Sequence, residues 1–253
     1  MKNLLFTSTL FLIVNFSFAQ TKIQNDLSRD GLKGKVKFYS ESYYELVDKF
    51  GEIEKGSLSD KYTYKYDVKG NKIESNNYTA YNGTLWEKTT YKYDEKGDKI
   101  EENIYKADGS LKLKFIYKYD EKGNKIEENW YKAYGSLFYK YTYKYDEKGN
   151  EIEKNWYKPD GSLNSKFTYN YNEKGNKIEE NWYIPDGSLM YKNTYKYDEK
   201  GNMIENNTYN ADGSLSSKYT YNYEFDAMGN WIKKTSITIG KPNQLIERVI
   251  EYY

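Results

Sequence analysis

The chain of 253 residues contains no cysteine and no histidine, and only three prolines. Without cysteine there is no disulfide framework, no thiolate metal ligand and no thiol for lipid attachment. Without histidine, Ser-His-Asp and Cys-His nucleophilic sites and the usual zinc sites are excluded as well. Paired carboxylates remain as the one easy route to catalysis. A charge excess is also missing. The 39 basic and 38 acidic residues leave a net +1, which gives no electrostatic reason to seek nucleic acid or an anionic membrane. No stretch shows helical periodicity.

What the chain does have is tyrosine, 32 of them, with five tryptophans and ten phenylalanines. It begins with Lys2, an apolar run from Leu4 through Val14, and the exit Ser17-Phe18-Ala19-Gln20. This reads as a secretory signal peptide over residues 1–20, because the run is too short to span a bilayer and no second one follows. The expected product is exported, either secreted or held in the periplasm or cell envelope, with no transmembrane segment after signal removal. Loss of Lys2 leaves acids and bases balanced. Residues 21–34 form a lead-in segment and 35–253 a repeat array.

Self-similarity dominates the array. The run Tyr-X-Tyr-Asp-Glu-Lys-Gly-Asn-Lys-Ile-Glu recurs with its turn glycine at Gly70, Gly97, Gly123, Gly149, Gly175, Gly201 and Gly229, mostly in steps of 26 residues. Midway between these turns lies a second one, as in Pro159-Asp160-Gly161-Ser162 and Ala211-Asp212-Gly213-Ser214. Both turn chemistries suit hairpins. The runs between them alternate with period two, as in Tyr139-Lys140-Tyr141-Thr142-Tyr143-Lys144-Tyr145. The predicted fold is all-β: tandem antiparallel β-hairpin repeats of about 26 residues, forming a twisted single-sheet superhelical ribbon or partly closed shell of roughly sixteen short strands.

A register follows from the turns. With Asp146-Glu147-Lys148-Gly149 as a four-residue loop, Tyr143 falls opposite Ile152 and Tyr139 opposite Trp156. With Lys158-Pro159-Asp160-Gly161 as the next, Trp156 falls opposite Leu163 and Ile152 opposite Phe167. This collects the tyrosines, tryptophans, the isoleucines from Ile73 to Ile232 and the leucines from Leu85 to Leu215 on one face. Lys144 opposite Glu151 and Glu153 opposite Lys166 then occupy a polar face. The step from Gly70 to Gly97 carries one extra residue, which predicts a β-bulge or a longer turn near residues 77–82. An outer-membrane barrel is not expected, because such strands would turn lysine and glutamate outward with no apolar band.

The recurrent Tyr-X-Tyr-Asp-X-X-Gly-Asn, from about Tyr64 to Trp231, resembles the YD repeat of Rhs-type bacterial proteins. The resemblance implies a spiralling β-sheet that can enclose a toxin, in a family often loosely labelled sugar-binding or cell-surface. This chain is shorter, alternates two turn types and carries no non-repeat C-terminal cargo, so a toxin role is not expected. Locally, Asn155-Trp156-Tyr157-Lys158-Pro159-Asp160-Gly161-Ser162-Leu163 is similar to the hairpins of choline-binding or glucan-binding cell-wall repeats, without their shorter period or their Gly-Trp pairs.

The column Trp130, Trp156 and Trp182 is the strongest candidate for ligand contact, since evenly spaced indoles stack on glycan rings or quaternary ammonium groups. The same column would serve as a packing ladder. Trp86, following Leu85, is expected on the opposite, polar face and is a fourth candidate. Glu128 and Glu180 are expected on the aromatic face, where desolvation would raise a carboxyl pKa and make a glycosidase-like acid conceivable. The homologous position elsewhere holds Lys154, and no unique site stands out, so neither an enzyme nor a catalytic residue is expected. The turns offer one carboxylate each, too thin a set for calcium, and no metal or cofactor is expected. The reading is a secreted binding or scaffolding surface for glycans or for cell-surface or protein partners. Its alternatives are a structural or adhesive spacer and, more remotely, a carboxylate-based carbohydrate-active enzyme.

Overall fold

The structure, a computed structural model, describes residues 25–238 and 241–253. The predicted signal segment, residues 1–20, lies outside these. A short helix, α1 (Asp26–Arg29), precedes an unbroken meander. Its first half comprises β1 (Val36–Lys49), β2 (Glu52–Tyr66), β3 (Lys72–Thr79), β4 (Leu85–Tyr93), β5 (Lys99–Lys106), β6 (Leu111–Tyr119), β7 (Lys125–Lys132) and β8 (Leu137–Tyr145). The second comprises β9 (Glu151–Tyr157), β10 (Leu163–Tyr171), β11 (Lys177–Tyr183), β12 (Leu189–Tyr197), β13 (Met203–Asn210), β14 (Leu215–Phe225), β15 (Trp231–Thr238) and β16 (Lys241–Tyr252).

Every strand pairs antiparallel with the next, and β16 returns to β1, so the sheet is a closed barrel of sixteen strands. The antiparallel hairpin array is the expected one, but its closure is complete, which corrects the expected ribbon or partly closed shell. Closure runs from Val36↔Tyr252 to Glu45↔Gln244. It satisfies the backbone N–H and C=O groups that two free edges would leave open, which alternation along single strands does not reveal.

Turn chemistry explains how each hairpin starts. At Asp146–Asn150 the Asp146 N–H donates to the Asn150 carbonyl and the Gly149 N–H to the Asp146 carbonyl. The Asp146 carboxylate accepts from the backbone N–H of Lys148 and Asn150 and from the Asn150 side chain, all within 2.9 Å. Gly149 has φ +82°, a conformation that costs glycine almost nothing. In the alternate turns Asp160 accepts from the Ser162 N–H and hydroxyl. The predicted extra residue is found in a longer turn, Thr79 to Thr84, closed by the Thr79 N–H and the Thr84 carbonyl.

The register differs from the expected one by two steps of one residue. The first loop holds five residues, so Tyr145 pairs with Glu151; a bulge at Ile152 then sets Lys144 opposite Glu153 and Tyr143 opposite Lys154. Two is an even displacement, so Trp156 keeps its place on the tyrosine face, opposite Tyr141. Ile152 does not. The bulge throws it to the other side, and Ile73, Ile100, Ile126, Ile152, Ile178 and Ile204 are all 38–47% exposed. Leucine moves for the same reason. Ser165 pairs with Trp156, Asn164 bulges, and Leu163 pairs with Tyr157 on the outer face. The single shared face expected for aromatics, isoleucine and leucine is therefore divided between the two sides of the wall.

The outer wall carries a zigzag of ion pairs. Glu153 receives Lys144 at 2.7 Å, Lys166 at 2.8 Å and the Asn155 amide at 2.9 Å. Glu74, Glu101, Glu127 and Glu205 repeat the pattern of two lysines and one asparagine. At Glu101, Glu127 and Glu153 burial opposes ionisation, yet these hydrogen bonds outweigh it and hold the carboxyls at about 2. At Glu74 and Glu205 the lysine bonds are the leading cause and the outcome is again about 2.

The inner wall is tied by a tyrosine ladder. The hydroxyls of Tyr93, Tyr119, Tyr145, Tyr171, Tyr197 and Tyr223 donate to the carbonyls of Lys72, Lys99, Lys125, Glu151, Lys177 and Met203 at 2.6–2.8 Å, each one hairpin back. Each carbonyl lies at the bulge beside an outward isoleucine, where regular ladder pairing is interrupted.

At the end of the barrel bearing these turns, the segment before β1 bridges the seam. Leu27 N–H donates to the Gly70 carbonyl and the Asn25 amide to the Lys69 carbonyl. On the other side of the closure, Asn230 accepts from the Lys33 N–H and donates to the Lys33 carbonyl and the Tyr252 hydroxyl. Leu27, Leu32, Val36, Tyr39 and Tyr66 form the one buried apolar cluster among the described residues. The conventional core is thus a clasp at the seam.

Candidate binding lumen

Alternation from the clasp inward identifies the lumen. Asp26 of α1 is buried and bonded by the Tyr93 hydroxyl and the Lys72 N–H, and Lys99 approaches it at 3.6 Å. With Arg29 it roofs a cavity of about 380 Å³ lined by Lys99, Tyr117, Tyr119, Lys125 and Tyr145. These residues share the face that carries Tyr141, Tyr143, Lys154 and Trp156. A sixteen-strand ring is wider than side chains can fill, so this face borders a channel.

Trp130, Trp156 and Trp182 all lie on that inner face, close to the Asp-Gly-Ser turns and hence toward the end opposite α1. Each remains partly exposed. Trp156 lies over Tyr141 with centroids 6.0 Å apart and planes 19° apart, and Trp182 over Phe167 at 5.5 Å and 27°. Trp130 meets Phe115 edge-on at 4.9 Å. The ladder is both packing and lining. Trp86 is not brought to it: it occupies the bulge between Leu85 and Glu87 and is 57% exposed.

The three indoles differ in their N–H groups. Trp130 Nε1 donates to Glu128 at 2.6 Å, whereas Trp156 Nε1 and Trp182 Nε1 are buried without a hydrogen-bond partner. Two residues before Trp130 stands Glu128, its acceptor; two before Trp156 stands Lys154, which can only donate. Trp182 is unpartnered although Glu180 stands two residues before it.

Charged groups line the same wall. Glu128 is bonded by Lys125 at 2.6 Å and Tyr143 at 2.7 Å as well as Trp130. Burial pushes its carboxyl up, but Lys125 and these bonds prevail and it titrates below the ordinary range. The raised carboxyl pKa expected for Glu128 on the aromatic face is therefore not found. Glu180 pairs with Lys177 at 2.6 Å. On the strands of this wall, burial does raise the carboxyls of Glu102 and Glu151, neither of which was a site candidate from the sequence. Tyrosines of this wall such as half-buried Tyr91 and Tyr117 and buried Tyr143 are pushed well above the usual phenol range by desolvation, and so remain neutral donors. Among the described residues no cluster of acidic side chains is suited to holding a metal ion.

No protein-family model matches the chain, and no curated protein does. Among solved structures, it is similar to a porin-like protein from Bacteroides uniformis, with a TM-score of 0.58 and 12% identity over 87% of this chain and 99% of that one. A porin-like protein from Bacteroides vulgatus overlays at a TM-score of 0.48 with 15% identity, over 84% and 97% of the two chains. A TcdB2-TccC3-Cdc42 structure aligns at 0.30 with 15% identity, over 80% of this chain and only 13% of that one. The first of these likenesses defines the class, a closed β-barrel sharing the architecture of a porin-like protein. At that identity it defines the fold alone.

Proposed function

We propose that this barrel is an exported cell-envelope protein that works in water and binds a glycan in its lumen through Trp130, Trp156 and Trp182. The observation that carries this reading is the pair of indole N–H groups, on Trp156 and Trp182, that lie in the lumen wall without an acceptor. Leaving a buried donor unpaired costs about 1–3 kcal/mol, and a ligand oxygen would recover it after a small turn of the indole. Partly exposed indole faces add the apolar half of a sugar site. Water is the fitting medium because of the outer wall: lysine and glutamate at mid-height would cost up to about 2–4 kcal/mol each against hydrocarbon.

A glycan array followed by tryptophan-fluorescence titration of each hit tests the proposal. Trp130→Ala, Trp156→Ala and Trp182→Ala are each expected to weaken binding by roughly 3- to 10-fold, while Trp86→Ala, at an exposed bulge apart from the ladder, leaves it unchanged. Folded variants of the inner three that bind as the wild type does would eliminate the lumen as the contact.

A further inference from the structure

One repeat of the inner wall has its charges reversed. In three repeats a lysine at the start of the strand pairs with a glutamate three residues later: Lys99 with Glu102 at 3.9 Å, Lys125 with Glu128 at 2.6 Å, and Lys177 with Glu180 at 2.6 Å. In β9 the same two places hold Glu151 and Lys154, in the opposite order. The swap preserves charge and breaks the pair. Lys154 makes no ion pair among the described residues and lies over the rings of Tyr141 at 4.4 Å and Phe167 at 5.8 Å.

The reversal has two local effects. Lys154 stands between Glu128 and Glu180 on the wall, two strands from each, or about 10 Å. Both of those carboxylates already hold their own lysine. The reversal also puts a donor where Trp130 has its acceptor, so an ammonium without an ion pair, influenced by Glu128, Glu151 and Glu180 only at longer range, and an indole N–H without a partner share one face beside an aromatic surface of Tyr141, Trp156 and Phe167. Burial holds the Lys154 pKa below the usual lysine range, and a bound anion would reverse that shift.

We infer that Lys154 and Trp156 form a subsite for the carboxylate of an acidic sugar, a uronate-type residue whose ring lies on the neighbouring aromatic surface. The inference rests on the lumen being a glycan site and adds the charge of the sugar. An acidic ring supplies what the subsite lacks, acceptor oxygens with negative charge and an apolar ring face. A neutral sugar supplies only the second.

The test exploits the repeat itself. The double variant Glu151→Lys with Lys154→Glu restores the order found in three other repeats, conserves net charge, and replaces the ammonium two residues before Trp156 by a carboxylate, as Glu128 stands before Trp130. Binding of tetragalacturonate and of its methyl ester is measured by calorimetry to the full barrel and to this variant, with melting curves to confirm folding. The wild type is expected to bind the acid at least about tenfold more tightly than the ester, with a preference that shrinks as salt is added. The double variant is expected to lose that preference and keep its affinity for the ester. Equal binding of acid and ester by the wild type, or a preference that survives the swap, overturns the acidic subsite while leaving a neutral-glycan lumen standing. Binding of neither compound, together with a blank glycan array, overturns both readings.

Discussion

The Tyr145 hydroxyl donates to the Lys125 carbonyl at 2.8 Å, across twenty residues of chain. The bond lies where the Ile126 bulge interrupts pairing between β6 and β7. Tyr145→Phe leaves a partly buried carbonyl unsatisfied and is expected to lower stability by about 1–3 kcal/mol. The measurement is the urea midpoint at unchanged slope. Tyr134→Phe, at an exposed position, serves as the control and is expected to change stability by less than about 0.5 kcal/mol.

At the seam, Arg248 of β16 bonds Glu41 of β1 at 2.6 and 2.7 Å, with both side chains under a tenth exposed and the guanidinium 3.3 Å from the Trp231 ring centroid. Arg248→Met is expected to destabilise by about 3–5 kcal/mol because it leaves a buried carboxylate unpaired. Adding Glu41→Gln should recover a large part of that loss. A double-mutant cycle in chemical denaturation reads the coupling, and two independent, additive losses would refute it.

The outer glutamates set an acid limit. Their carboxyls, near 4.5 in the unfolded chain, are held at about 2 in the barrel. A depressed folded-state pKa gives stability that is present above the unfolded value and is lost as pH falls toward the folded one. Urea midpoints are therefore expected to hold from pH 7 to about 5 and to drop steadily between about pH 4.5 and 2. High salt should weaken the pairs at neutral pH, because most of the lysines are well exposed. A midpoint that does not move between pH 5 and 2.5 would show that the belt contributes nothing.

Phe50 turns the β1–β2 hairpin with φ +59°, ahead of Gly51 at +92°, and its side chain is fully exposed. Two positive φ values make a type I′ turn, for which Asn-Gly is the preferred pair. Phe50→Asn is expected to raise stability by about 1 kcal/mol, seen as a melting temperature a few degrees higher. Unchanged or lower melting would show that the ring makes a compensating contact.

Much of this molecule was legible in its residues, because period-two alternation and two glycine turns suffice to place Tyr143, Lys154 and Trp156 on one face. The outward isoleucines were not legible. A five-residue loop and a bulge each shift pairing by one, and their sum is invisible to any argument that counts only from turn to turn. Closure was hidden for another reason: Val36 and Tyr252 read as ordinary strand ends, and only three-dimensional twist brings them together. Lys154 in the place that holds Glu128 and Glu180 elsewhere was plain in the sequence, but Glu151 was expected on the polar face opposite Lys144, and only the bulge at Ile152 brings the two to one wall.

The clasp also determines what a change in repeat number would do. Its parts come from the two ends of the chain, Leu27 and Lys33 on one side and Asn230 and Tyr252 on the other. The inner repeats only need to meet their neighbours. Gain or loss of one 26-residue unit adds or removes two strands and leaves both halves of the fastening intact. The bore of such a ring is a tally of its hairpins, and duplication or deletion within the gene would resize the channel in fixed increments without redesign of any wall residue.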